Sequence, residues 1–235
     1  RPALGRLLNL SLAFIGEDRP NRPGTPIRPR FITIHNTANP HPGADAEAHA
    51  RFVCQRGFYR LASGRRRHVS WHFTVDDRRV IKHLPISERA IHAGRGNALS
   101  IGIEICMHQG IDQPAADLRA QRLAAVLMHD LALGAEAVVP HAHWTGKRCP
   151  VLLLDRFHAF REAAAEVAAS IGSDPVDPAE ERHTGPEPVS AGEIAALTVL
   201  DACHVPPGEE TATEPDPADA HERVAGALAE MLAGR

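Results

Sequence analysis

Hydrophobic and polar positions alternate or recur along most of the chain in ways that predict its elements. Leu8 to Ile15 predicts a first strand. Phe31-Ile32-Thr33-Ile34 is an aromatic and β-branched run bounded by Pro29 and Pro40, and predicts a second. Asp45 stands where a cap should, ahead of a helix running to about Gln55. Trp71–Val75 and Val80–Leu84, joined by Asp76-Asp77-Arg78, predict a hairpin. Arg65-Arg66-Arg67 after Gly64 reads as an exposed loop. Ser100–Ile105 alternates, with Ile101, Ile103 and Ile105 on one face and Gly102, Glu104 and then Cys106 on the other. Helical periodicity returns in Ala115–Leu133, ending near Gly134, and in Asp155–Ile171, with Gly172 just beyond. Strands mixed with long helices imply an α/β fold, a central mixed β-sheet flanked by helices.

Composition divides the chain in two. Residues 173–235 hold eight prolines and 14 acidic against three basic residues, a balance of −11. Residues 1–172 hold 15 acidic and 23 basic residues, a balance of +8. The expected organisation is therefore a globular domain at 1–172 and an acidic, proline-rich linker at 173–235. Two patches in that linker, Ala191–Cys203 and Ala220–Leu232, suggest a small helical appendage. A basic globular part favours anionic partners, wall polymers or nucleic acid. The second fits poorly, because only seven Phe, two Trp and one Tyr are available as stacking platforms. No apolar run reaches the roughly 18 residues of a membrane-spanning helix. The segment Leu7–Ile15 is interrupted by Asn9 and Ser11 and lacks a small-residue cleavage site, so it reads as a strand rather than a secretory signal. The four cysteines are far apart in a chain too large to need staples, which suggests a metal ligand before a disulfide.

Candidate chemistry concentrates at strand ends. Among 15 histidines, His35 directly follows the Phe31–Ile34 strand, where sites of open α/β sheets gather. The segment Pro140-His141-Ala142-His143-Trp144-Thr145-Gly146-Lys147-Arg148-Cys149-Pro150, read as a loop between helices, packs two imidazoles, an amine and a thiol together. Imidazole nitrogen and thiolate sulfur are zinc donors, and a catalytic site uses three such ligands. Spacing leaves His141 and His143 as alternatives. Glu104 is a carboxylate in a strand of Ile and Gly, which is costly unless it is paired or used as a general base.

The blocks FITIHNTANP, GADAEAHARF, SWHFTVDD, AIHAGRGN, SIGIEIC and PHAHWTGKRCP, in this order, resemble the zinc-dependent N-acetylmuramoyl-L-alanine amidases. That family includes phage endolysins, Bacillus lytic amidases and animal peptidoglycan recognition proteins. The resemblance runs from about Leu8 to about Gly172 and implies the peptidoglycan-recognition-protein-like amidase fold. It implies one Zn2+ held by His35, His141 and Cys149, choosing His141 over His143. It also implies Glu104 as general base, Lys147 as oxyanion support, and Trp71, His92 and Asn97 lining the substrate groove. Trp71 stands where relatives often carry Tyr, and the stretch Arg65–His68 departs from the closer relatives.

The implied activity is hydrolysis, by a zinc-activated water, of the amide between N-acetylmuramic acid and the L-alanine of the stem peptide. The expected partner is bacterial peptidoglycan, reached by secretion or by a phage-type export route. The competing reading is a non-catalytic muropeptide-binding module on the same fold. Retention of Cys149 favours the enzyme, because recognition members commonly replace it.

Overall fold

The computed structural model describes residues 8–171. The expectations for the acidic segment 173–235, its two patches and Gly172 lie outside the described residues.

Six strands form one sheet: β1 (Leu10–Leu12), β2 (Phe31–Asn36), β5 (Phe73–Val75), β6 (Val80–Lys82), β7 (Ser100–Ile105) and β8 (Val138–Pro140). Their order is β1-β6-β5-β7-β2-β8. The pairs β5–β7, β7–β2, β2–β8 and β1–β6 are parallel, and β5–β6 is the antiparallel hairpin. The sheet is mixed and flanked by helices, as the pattern predicts.

Alternation along β7 decides which face is dry. Ile101, Ile103 and Ile105 are fully buried and pack with Ile32, Ile34, Phe73 and Val75. Over this face lie helices α2 (Gln113–Asp130) and α4 (Phe157–Ser170), which contribute Ala116, Ala120, Leu123, Phe157 and Phe160. Each such large apolar side chain stabilises the fold by about 1.5–3 kcal/mol through burial alone. The opposite face carries Thr33, His35, Gly102, Glu104 and Thr74. In register, His35 stands beside Glu104 and Glu104 beside Thr74, so three polar side chains line up across adjacent strands.

Helix α1 (Ala46–Arg51) starts where Asp45 accepts a hydrogen bond from the Ala48 N–H at 2.8 Å, then widens into a π-helical turn at Phe52–Arg56. Asp76, buried in the β5–β6 turn, accepts from the N–H groups of Arg78 and Arg79 and from that of Ala46. One carboxylate thus closes the hairpin and anchors the start of α1.

Four expectations need correction. Arg66 and Arg67 are not in a loop: β4 (Arg66–His68) pairs antiparallel with β3 (Phe58–Arg60) in a separate two-stranded ribbon, and both arginines remain exposed. The segment from Pro140 does not simply join two helices. It leaves β8, which pairs with β2, and enters the short helix α3 (Ala142–Thr145). The first strand is confined to Leu10–Leu12, although Ala13 and Ile15 still donate to the carbonyls of Lys82 and His83. Helix α4 begins at Phe157, after a 3-10 turn at Leu154–Arg156.

Candidate active site

His35 lies inside β2, near its C-terminal end, rather than just past it. Pairing of β8 with β2 sets Pro140 beside Ile34, and the His141 N–H donates to the Ile34 carbonyl at 3.2 Å. The imidazoles of His35 and His141 then meet with ring centroids 4.6 Å apart. Helix α3 turns the chain back, and the Ala142 N–H donates to the Cys149 carbonyl at 3.0 Å. Asn36 holds the far side of this loop, its Oδ1 accepting from the Leu152 N–H at 3.0 Å. One donor atom from each of His35, His141 and Cys149 lies within 4.8 Å of the others, and all three residues are buried. His143 points elsewhere: it is exposed and packs on Trp144 and Phe31. Geometry therefore gathers His141 rather than His143, the choice that spacing left open.

A directional relay locks this loop to the sheet. The Trp144 indole N–H donates to Thr33 Oγ1 at 2.9 Å, Thr33 donates to Ser100 Oγ at 2.8 Å, and Ser100 donates to the Gly96 carbonyl at 2.9 Å. All of these groups are buried and each is satisfied, which makes such a chain rigid.

The donor atoms, rather than any standing negative charge, suit a cation. Burial, aided by His92, His141 and Lys147, holds His35 well below its ordinary pKa, so its imidazole is neutral and able to ligate. Burial, together with the charge of Glu104, pushes the Cys149 thiol up to about 12. In the protein alone this sulfur keeps its proton, and a bound cation would stabilise the thiolate. Two imidazoles and one thiolate form a donor set that fits a borderline-soft divalent metal.

Glu104 Oε1 lies 3.8 Å from His35 Nδ1. Its Oε2 is buried without a hydrogen-bond partner among the described residues. Burial raises its carboxyl to about 8, against the opposing pull of Lys147. A desolvated carboxyl beside a donor cluster can take and return a proton near neutral pH. Lys147, half-buried between α3 and Cys149, is close enough to influence both His35 and Glu104.

Of the residues expected to line a groove, Trp71 needs correction. It is 5% exposed, packs with Ile15, Val53 and Leu84, and spends its indole N–H on Thr74 Oγ1 at 2.7 Å. That leaves almost no ring surface for a substrate. Asn97 is buried and uses its Oδ1 to accept from the N–H groups of His92 and Ala93, at 2.9 and 2.6 Å. His92 is half-buried, with Nδ1 2.9 Å from His35 Nε2.

Sequence reasoning passed over the buried polar layer beneath the site. His72 accepts from the Gly102 N–H on Nδ1 and donates from Nε2 to the Glu88 carbonyl, both at 2.9 Å. His83 sits 2.8 Å from Thr74 Oγ1 and 3.1 Å from the Ala13 carbonyl. Alternation with Trp71, Phe73 and Val75 places His72 and Thr74 on one face, a signal that could have exposed part of this layer. A cavity of about 700 Å³ opens elsewhere, between Arg22, Ile27, Ser87 and Glu88, and none of the candidate ligands line it.

Known proteins resemble this chain over the part that holds the site. The family model described as N-acetylmuramoyl-L-alanine amidase matches residues 24–151. Two Bacillus subtilis relatives, the N-acetylmuramoyl-L-alanine amidases XlyA and CwlH, are each 42% identical over 159 residues, 66% of this chain. The chain spans 50% and 60% of their respective lengths. The solved catalytic domain of XlyA superposes with a TM-score of 0.61 at 42% identity, covering 66% of this chain and 99% of that domain. PlyL superposes with a TM-score of 0.57 at 27% identity, covering 68% of this chain and 98% of its own. With a family match over more than half of its length, and with the buried His, His and Cys cluster inside that match, this chain belongs to the N-acetylmuramoyl-L-alanine amidase family.

Proposed function

We propose that this protein hydrolyses the amide between N-acetylmuramic acid and the L-alanine of the peptidoglycan stem peptide, with zinc held by His35, His141 and Cys149. The observation that carries the reading is the convergence of those three buried donors beside Glu104, at the C-terminal ends of β2 and β7. Zinc in such a three-ligand site would polarise the scissile carbonyl and lower the pKa of a water.

The chain's own residues supply the rest. Glu104, with one buried oxygen unpartnered, accepts the proton of the attacking water and returns it to the departing alanine nitrogen. Atoms balance in this step: the carbonyl carbon gains the water oxygen, the carbon–nitrogen bond breaks, and both products leave neutral before they ionise. The Lys147 ammonium faces the negative charge that builds on the carbonyl oxygen, a contribution of about 3–4 kcal/mol for a well-placed donor. The relay through Trp144, Thr33 and Ser100 keeps the ligand loop in place while charge develops.

Bacterial peptidoglycan is the proposed partner and the cell wall the place of action. No helix among the described residues is long and apolar enough to cross a membrane. Mass spectrometry of peptidoglycan digests tests the reading. Newly exposed L-alanine amino termini, lost on chelation and regained with zinc, are expected. New reducing sugar ends in their place would overturn it.

A further inference from the structure

We infer that His92 is a positioning residue that fixes the tautomer and ring orientation of His35, so that His35 Nδ1 is the nitrogen presented to the metal. The inference rests on the reading above that His35 is a metal ligand.

Hydrogen-bond direction carries the argument. His92 Nε2 faces the Ser100 carbonyl at 3.4 Å, and a carbonyl oxygen can only accept. The proton of a neutral His92 therefore sits on Nε2, and its Nδ1 is a lone pair. That lone pair lies 2.9 Å from His35 Nε2, which must then carry the His35 proton. Nδ1 of His35 is left bare, and it faces Cys149 Sγ and Glu104 Oε1, each at 3.8 Å. The reverse polarity fails at both ends. A proton on His92 Nδ1 would set two acceptors against each other at Ser100 and would place N–H on His35 Nδ1, where no metal could bind. A second histidine ring thus does what a carboxylate or a backbone carbonyl does behind many metal-bound histidines: it accepts the outer N–H and raises the basicity of the ligand. Being neutral, it would add no charge to a site that, once a metal is bound, holds a thiolate beside Glu104.

His92 is itself held in place. Asn97 Oδ1 accepts from the backbone N–H of His92 and of Ala93, which fixes the loop entering the site. The ring lies flat against β7 at Gly102. A Cβ built on Gly102 would sit 2.7 Å from His92 Nδ1 and 2.9 Å from Cε1 and Cγ, closer than any real contact. Glycine at this position in the strand therefore leaves room for the ring two residues before Glu104. The His72 ring also packs edge-on to His92, with centroids 6.0 Å apart. On this account the groove-lining role expected for His92 and Asn97 becomes support for a metal ligand.

The test compares the wild-type chain with His92→Leu and His92→Asn. Zinc affinity is measured by competition with a chromophoric chelator, and nitrogen-15 NMR of the zinc-loaded wild type reports which His35 nitrogen binds the metal. Leucine fills the space but accepts no hydrogen bond, and zinc should bind roughly 10–100-fold more weakly. Asparagine places its carboxamide oxygen near the former Nδ1 and should recover most of that loss. NMR should find His35 ligating through Nδ1, with its proton retained on Nε2. His92→Leu holding zinc as tightly as wild type, or His35 ligating through Nε2, would overturn the inference. Should His92→Leu not fold, the NMR assignment and the asparagine variant decide the matter. A wild-type chain that takes up no zinc would instead overturn the metal assignment itself, and this inference with it.

Discussion

Acidification should destabilise the protein through His83, and the size of the loss follows from the structure. His83, just past β6, is fully buried. Nδ1–H donates to the Ala13 carbonyl at 3.1 Å, so Nε2 is the acceptor for the Thr74 hydroxyl at 2.8 Å. Thr74 in turn accepts from Trp71. A charged imidazole has no place in this chain, because two donors would meet at Thr74 unless its hydroxyl turned away. Burial lowers His83 to about 4 from its ordinary value of 6.5. Between those values the unfolded chain binds more protons than the folded one, so stability rises with pH. The contribution is complete above 6.5, is lost as pH falls toward 4, and is flat below that. From pH 7 to pH 5 the loss is about 2 kcal/mol, which corresponds to roughly 4–8 °C in melting temperature for a domain of this size. His72, also near 4 for the same reason, acts in the same direction. Glu104 acts oppositely, because its raised pKa makes the folded state the stronger proton binder between its ordinary 4.5 and about 8. The raw pH profile of the wild type therefore mixes signs. The informative quantity is the difference between wild type and His83→Asn, which keeps a donor toward Ala13 but cannot titrate. Thermal or urea unfolding of both at pH 7 and pH 5 should show the variant losing about 2 kcal/mol less. Parallel losses in the two proteins would refute the reasoning.

Other outcomes follow from the same structure. Glu104→Gln should keep the fold and bound zinc while lowering turnover by roughly 100-fold or more, read by release of muropeptides; a near-wild-type rate would remove Glu104 from the chemistry. His141→Ala should lose zinc and His143→Ala should keep it, as measured by elemental analysis, since only His141 joins the buried cluster. Gly96→Ala would bring a Cβ within 2.6 Å of the Trp144 indole, whose N–H is fixed on Thr33. It should cost about 1–3 kcal/mol in urea unfolding and also weaken zinc binding through the displaced ligand loop. Wild-type stability in that variant would mean that the loop gives way easily.

Much of this protein is determined locally. The strands β2 and β7 and the helices α2 and α4 are legible in the sequence because their apolar residues recur at the period of the backbone itself. Ile101, Ile103 and Ile105 need no knowledge of a partner to identify a dry face, and Glu104 on the other face already stands out as a carboxylate that needs a reason. His35 and Cys149 are legible as chemistry, since an imidazole at a strand end and a thiol in a segment with two further imidazoles are both zinc donors.

Tertiary structure decided the rest. Strands β3, β4 and β8 have three residues each, too few for a period, and they form because a distant partner supplies the other half of the ladder. An arginine run therefore reads as loop until Tyr59 is found opposite Arg67. His141 and His143 share one segment and one chemistry. Only the pairing of Pro140 with Ile34, followed at once by α3, sends the first inward and leaves the second at the surface. Trp71, His92 and Asn97 are polar-tipped residues whose roles depend on what meets the tip. Thr74, His35 and the backbone at His92 meet them, and those contacts join residues 3, 57 and 5 positions apart. Periodicity records how strongly a side chain avoids water, but the direction of a hydrogen bond depends on the group at its other end, and in this fold chain packing places that group.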